Sequence, residues 1–115
     1  MKPSTNYLRH ILDETRFLLE HLSQCSLDQI MRDPVLQRAC VRSVEVIGEA
    51  VKNIPPELRE KHPDVEWRKM AATRDRLIHG YFSIDFELVW DIVQHKIPFL
   101  HHQIEAILDQ ENRKS

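Results

Sequence analysis

The sequence predicts an all-α fold: an up-and-down bundle of four long helices with one or two short ones, forming a single domain over residues 1–115. Three observations carry that reading. Only two glycines occur, Gly48 and Gly80. Few β-branched runs alternate with polar residues, as strands would require. Apolar residues instead recur at i, i+3, i+4 and i+7, the period of a helix with one buried face. A length of 115 residues suits one hydrophobic core rather than two. With 42% hydrophobic and 30% charged residues, the chain is too apolar for disorder and ordinary for a soluble globule.

The first helix is expected from about Thr5 to about Leu22, on the stripe Leu8, Ile11, Leu12, Thr15, Leu18, Leu19 and Leu22. Ser26 suits the N-cap of a short turn of helix that runs to Arg32. Asp33-Pro34 opens the next long helix, the acid as cap and the proline at the first position, where no N–H is needed. Its stripe is Leu36, Ala39, Cys40, Ser43, Val44, Ile47, Val51 and Ile54. Gly48 lies in mid-helix, where it costs about 1 kcal/mol against Ala, so close approach of another helix is the expected reason for it. Pro55-Pro56 is expected to end this helix, and Glu57 to His62 to form one turn. The next long segment runs from about Val65 to His79, with Gly80 as the residue after its end. Asp85 is the expected N-cap of the last helix, which reaches about Glu111 on a stripe from Phe86 through Val89, Trp90, Val93, Ile97, Leu100, Ile104, Ile107 and Leu108. Pro98 inside that stripe should kink it. Each long helix has a wide apolar face, compatible with a dimer that buries the excess.

The formal net charge is −2, so a polyanion partner would need a local basic patch. One candidate runs from Arg59 to His79: six cations (Arg59, Lys61, Arg68, Lys69, Arg74, Arg76) against four acids (Glu60, Asp64, Glu66, Asp75). Cys25 and Cys40 form no CxxC pair, which argues against a disulfide framework or a zinc site and for small core residues in a reducing cytoplasm. The opening MKPSTNYLRH lacks the apolar run of a signal peptide. No segment approaches the roughly 20 apolar residues of a membrane span. Asp91/His95 and His101/Glu105 have i, i+4 spacing that could hold a metal, but such pairs are common on helix surfaces and no HExxH occurs. No metal or cofactor is expected.

The stretch RDRLIHGYF, Arg74 to Phe82, concentrates the chemistry. On a helix advancing about 100° per residue, Arg74 falls seven after Trp67 and four before Ile78, inside the apolar stripe of Trp67, Met70, Ala71, Leu77 and Ile78. A guanidinium there is costly unless paired or at a wet seam. Asp75 and His79 share another face, so the carboxylate could hold the imidazole. Arg76 and His79 are also neighbours. Arg74 and His79 differ by roughly 140° on a regular helix. They converge only if the helix frays near Gly80, or if Arg74 meets a histidine of a second copy. Glu45 and Glu49 form either a plain salt-bridged face or a group that reaches Arg74 and neutralises it. Spacing alone favours a charged helix end with no function, since Arg and His suit the dipole there. Two features weigh the other way: the place of Arg74 in the stripe, and a turn that presents His79 and Tyr81 together.

RDRLIHGYF, with VEVIGEA upstream and DFELVWDIV downstream, resembles the HepT-type toxins of the HEPN superfamily, over most of the chain from about Val41 to about Ile107. The superfamily motif is Arg, a polar residue, a few more residues and His, which HepT members extend by one residue and a Tyr. Arg74, Asp75, His79 and Tyr81 fit it. Many members carry Asn where this chain has Asp75, which adds a negative charge near the phosphate site. The resemblance implies a HEPN-like bundle and a homodimer whose two motifs line one cleft. It implies a metal-independent endoribonuclease that cleaves tRNA or mRNA as the toxin of a type VII-like toxin–antitoxin pair. It also implies a minimal nucleotidyltransferase antitoxin that silences the toxin by AMPylation of Tyr81.

The residues suit that chemistry. Histidine near neutral pKa can act as base or acid, contributing about 10²–10⁴-fold. Arg74 offers a planar fork to phosphate oxygens, and Arg76 a further phosphate contact. The rival reading is a non-catalytic helical module that binds nucleotide or a partner protein. A purely structural dimerisation domain comes third.

Overall fold

A computed structural model describes residues 3–79 and 86–113, with the side chains of residues 3, 4, 78 and 79 outside the description. The described residues form helices only: α1 (Pro3–His21), α2 (Leu27–Met31), α3 (Pro34–Lys52), α4 (Pro56–Lys61), α5 (Trp67–His79), α6 (Phe86–Asp91), a π-helical turn (Ile92–Lys96) and α7 (Ile97–Arg113). α6, the π turn and α7 run on as one long rod. The bundle of four long helices and two short ones is therefore present. Among the described residues no helix is long and apolar enough to cross a membrane.

Local chemistry sets the helix starts. Ser26 and Gln29 close a reciprocal capping box on α2. Asp33 accepts from the N–H groups of Val35 at 3.0 Å and Leu36 at 3.3 Å, with Pro34 at the first turn of α3. α3 stops at Lys52, short of the expected Pro55-Pro56 boundary. Asn53 is its C-cap, and Arg59 reaches back from α4, donating to the carbonyl of Lys52 at the helix end at 3.4 Å and to that of Ile54 just beyond it at 3.0 Å. Ile54 is buried all the same.

The last helix is irregular just before Pro98, where a kink is expected. Proline has no N–H and its ring crowds the carbonyl four residues earlier. The chain widens just before it, and Ile97 donates to the carbonyl of Ile92, five residues back. The apolar stripe survives this turn: Val93, Ile97, Leu100 and Ile104 are all buried. The expected caps Gly80 and Asp85 lie outside the described residues.

α3 packs between α1 and α5, and α1 packs against α7. The core fills the space between them with Leu8, Ile11, Leu18, Val44, Ile47, Val51, Met70, Leu77 and Ile104. Thr15, on the buried stripe of α1, has its hydroxyl 3.0 Å from the carbonyl of Leu12 and 2.8 Å from Nδ1 of His101, a hydrogen bond that ties α1 to α7. α3 and α5 touch at Gly48. A Cβ there would overlap the Cβ of Arg74 and lie 2.9 Å from the carbonyl oxygen of Met70. The mid-helix glycine is the price of that crossing.

Candidate active site

The crossing places Arg74. Trp67 anchors the start of α5, buried, its Nε1 donating to the carbonyl of His62 at 2.9 Å. Met70 and Leu77 lie on the same buried stripe. Arg74 follows it, so its stem lies on α3 at Gly48 and its guanidinium reaches the rim, 25% exposed. There it meets two carboxylates. Nη2 is 3.0 Å from Oε2 of Glu49, and Nη1 is 3.0 Å from Oδ1 of Asp75. Nζ of Lys52 is 3.0 Å from the same Asp75 oxygen. A charge on an apolar stripe is thus paired and hydrogen-bonded, as burial demands. The hydrogen bonds from Lys52 and then Arg74 hold Asp75 below its ordinary pKa.

The guanidinium opens into a cleft of about 350 Å³. Arg42, Glu45 and Glu49 of α3 line it together with Tyr7 and His10 of α1.

The sequence-predicted residues do not all converge. Arg74 and Asp75 share one network. The described partners of Asp75 are Lys52 and Arg74, where the spacing had offered His79. Of the two readings of Glu49, the contact with Arg74 is the one formed. Arg76 is exposed and lines a different cavity, of about 290 Å³, with Lys69, Thr73, Asp91 and Lys96. It stands two positions after Arg74, about 200° round, which puts it on the other side of the helix. His79 is the last residue of α5, and its side chain lies outside the described residues, as does Tyr81.

Sequence reasoning missed Lys52, Tyr7 and His10. Lys52 had a signal, since it stands one turn after Gly48 on α3, the helix that meets Arg74. Tyr7 and His10 had none.

Much of the basic stretch is engaged within the fold. Arg59 caps α3, Lys61 is 3.7 Å from the buried Glu111, and Lys69 is 2.7 Å from Glu66. Arg68 and Arg76 are exposed. The histidines of the last helix sit in local pairs: His95 with Asp91 at 3.7 Å, and His101 and His102 with Glu105 at 3.7 and 3.5 Å. No group of three or more side chains that could hold a metal occurs among the described residues.

Comparison with known proteins agrees with the motif. The family model described as Ribonuclease HepT-like matches residues 11–107. The chain is 48% identical over 111 residues to "Putative RNase TTE0752" of Caldanaerobacter subterraneus subsp. tengcongensis, covering 96% of this chain and 99% of that one. It is 42% identical over 102 residues to "Putative RNase MJ0127" of Methanocaldococcus jannaschii, covering 89% and 84%. It is 36% identical over 102 residues to "Probable ribonuclease HepT" of Thermococcus cleftensis, covering 89% and 93%. No solved structure matches it. A helical bundle that seats Arg74 over Gly48, five residues before His79, and a family match across most of its length lead to one statement: the chain belongs to the ribonuclease HepT-like family of the HEPN superfamily.

Proposed function

We propose that this family member is a metal-independent endoribonuclease, the toxin of a toxin–antitoxin pair, cutting tRNA or mRNA in the cytoplasm with Arg74 on the scissile phosphate and His79 moving the protons. The observation that carries the proposal is Arg74 itself: a guanidinium on an apolar stripe, seated over a glycine, opening into a cleft. A plain charged helix end needs none of that.

The two counter-ions of Arg74 differ in their freedom. Asp75 is shared with Lys52 and stays, fixing the plane of the fork. Glu49 is 55% exposed and can swing to water as a phosphate takes its place. With the phosphate held, a histidine takes the 2′-OH proton, the 2′-oxygen attacks phosphorus, and the 5′-oxygen leaves with a proton from an acid. The products are a 2′,3′-cyclic phosphate and a 5′-hydroxyl. In a homodimer, two copies of His79 divide the acid and base roles. Phe17, Met31, Val35 and Phe99 are exposed apolar side chains that would favour such a partner. Arg76, across α5, serves a phosphate further along the strand. A nucleotidyltransferase antitoxin that places AMP on Tyr81, two residues from His79, adds bulk and negative charge where RNA must enter.

The rival, a non-catalytic module that binds nucleotide or a partner, draws support from the same network, since Arg74 is already neutralised at rest. Incubation of the purified protein with tRNA and mRNA, with and without EDTA, separates the two. Cleavage that survives chelation, leaves a cyclic phosphate and is lost in Arg74→Ala and His79→Ala supports the nuclease. Binding without cleavage overturns it. Mass spectrometry after incubation with the nucleotidyltransferase and ATP tests Tyr81, and AMP on another residue refutes that part.

A further inference from the structure

We infer that the cleft beside Arg74 is a nucleobase subsite that selects guanine, with Tyr7 and His10 as aromatic walls and Glu45 reading the base edge. The inference rests on the ribonuclease reading and adds which base lies next to the cut phosphate.

The cleft holds about 350 Å³, within the range of small-ligand pockets. One end carries the guanidinium proposed to hold phosphate. Beside Arg74 the lining carries two carboxylates, Glu45 and Glu49, against one further guanidinium, that of Arg42, so it offers no surplus of positive charge to a sugar-phosphate backbone laid along it. Glu49 is engaged by Arg74. Glu45 is only 22% exposed, and its ion pair with Arg42 is at 3.8 Å, beyond hydrogen-bond range. A half-buried carboxylate with open acceptor positions calls for N–H donors. In single-stranded RNA those lie on the base edges. Guanine presents two adjacent donors, N1–H and N2–H₂, which a carboxylate accepts together. Adenine and cytosine offer one amino group beside an acceptor, and uracil one N–H between two carbonyls.

The walls fit a base as well. Tyr7 and His10 lie one turn apart on α1, with ring centroids 6.0 Å apart and planes at 87°. They form a corner, on one side of which a flat base can stack. The stacking walls, the edge reader and the phosphate fork thus line one cleft.

The test uses pentaribonucleotides of uridine with G, A, C or U at the centre, 2′-O-methylated throughout so that they bind but cannot be cut. Anisotropy with the full chain should find the guanine probe bound about 10-fold more tightly than the others. Glu45→Gln should level the four. Tyr7→Leu, which keeps the apolar body against the core, should weaken all of them by about 10-fold, with the helical circular dichroism of both variants unchanged. Equal binding of the four probes by the parent, or a guanine preference that survives Glu45→Gln, overturns the subsite. The ribonuclease reading still stands in that case if unmodified RNA is cut in an Arg74-dependent way. If the parent neither binds the probes nor cuts RNA, both fall together.

Discussion

Replacing Gly48 by Ala sets two effects of opposite sign against each other. In an open helix the change gains about 1 kcal/mol from backbone entropy. Here the new Cβ would overlap the Cβ of Arg74, lie 2.9 Å from the carbonyl oxygen of Met70 and lie 3.1 Å from Cγ of Arg74. The first two are fixed to the α5 backbone, so no rotamer change relieves them and the helices must part. Overpacking costs about 1–3 kcal/mol, and contact between fixed atoms puts this case at the upper end. The net loss is then about 2 kcal/mol once the propensity gain is taken off. For a domain of this size that lowers Tm by roughly 8 °C. Urea unfolding reads it as a lower midpoint with an unchanged slope. Adding Arg74→Ala should not rescue the variant, because alanine keeps the Cβ, whereas Arg74→Gly should recover part of the loss. A Gly48→Ala protein about 1 kcal/mol more stable than the parent, as propensity alone dictates, would refute the tight α3–α5 crossing.

Glu49→Gln should tighten the binding of short single-stranded RNA a few-fold, since an exposed pair is worth only about 0.2–1 kcal/mol; weaker binding would make Glu49 a holder of the fork rather than a competitor for it. Asp75, held low by Lys52 and Arg74, should titrate below the ordinary 3.8 in an NMR pH series, and Lys52→Ala should move its midpoint back up. Because its folded pKa lies below the unfolded one, its contribution to stability is present above about pH 3.9 and vanishes as pH falls through the folded value; a midpoint at or above the ordinary one counts against the network. Burial pushes the Cys40 thiol up to about 12, so a thiol reagent near pH 8 should modify Cys25 and leave Cys40 until the chain is unfolded. Two labels on the folded protein would contradict the packing of α3.

What the sequence made legible was chemistry that acts over a few residues. The caps Ser26 and Asp33 and the proline after Asp33 form motifs whose partners lie within a turn. The stripe placed Arg74 on a packed face because the helical period is local, and Gly48 signalled a crossing because a bare position in mid-helix needs a reason. The end of α3 was not legible, since it depends on Arg59 reaching back from another helix. Nor was the π turn, because a proline can be absorbed either by bending or by widening the turn before it. Lys52 joins Asp75 across 23 positions, and Tyr7 stands by Arg74 only because α1 and α5 both pack on α3. No period or spacing carries such contacts. Of the motif residues that the sequence named most directly, Tyr81 and the side chain of His79 lie outside the described part of the chain.

The four charges at the site, from Arg74, Lys52, Glu49 and Asp75, sum to zero. A device built only to attract RNA would leave its arginine uncompensated, but an unpaired guanidinium on an apolar stripe opposes folding. The carboxylates resolve that conflict, and their unequal tethering keeps a use for the arginine. Lys52 holds Asp75 in place, so the plane of the fork is set before any ligand arrives and little ordering is left to do on binding. Glu49 has no second cation among its described contacts and stands in water on its far side. It can therefore be exchanged for a phosphate at the loss of one weak surface pair. In the proposed nuclease, long-range attraction would then come from other cations such as Arg68 and Arg76, and Arg74 would act only at contact, on a ligand whose oxygens match the fork closely enough to displace a carboxylate already seated there.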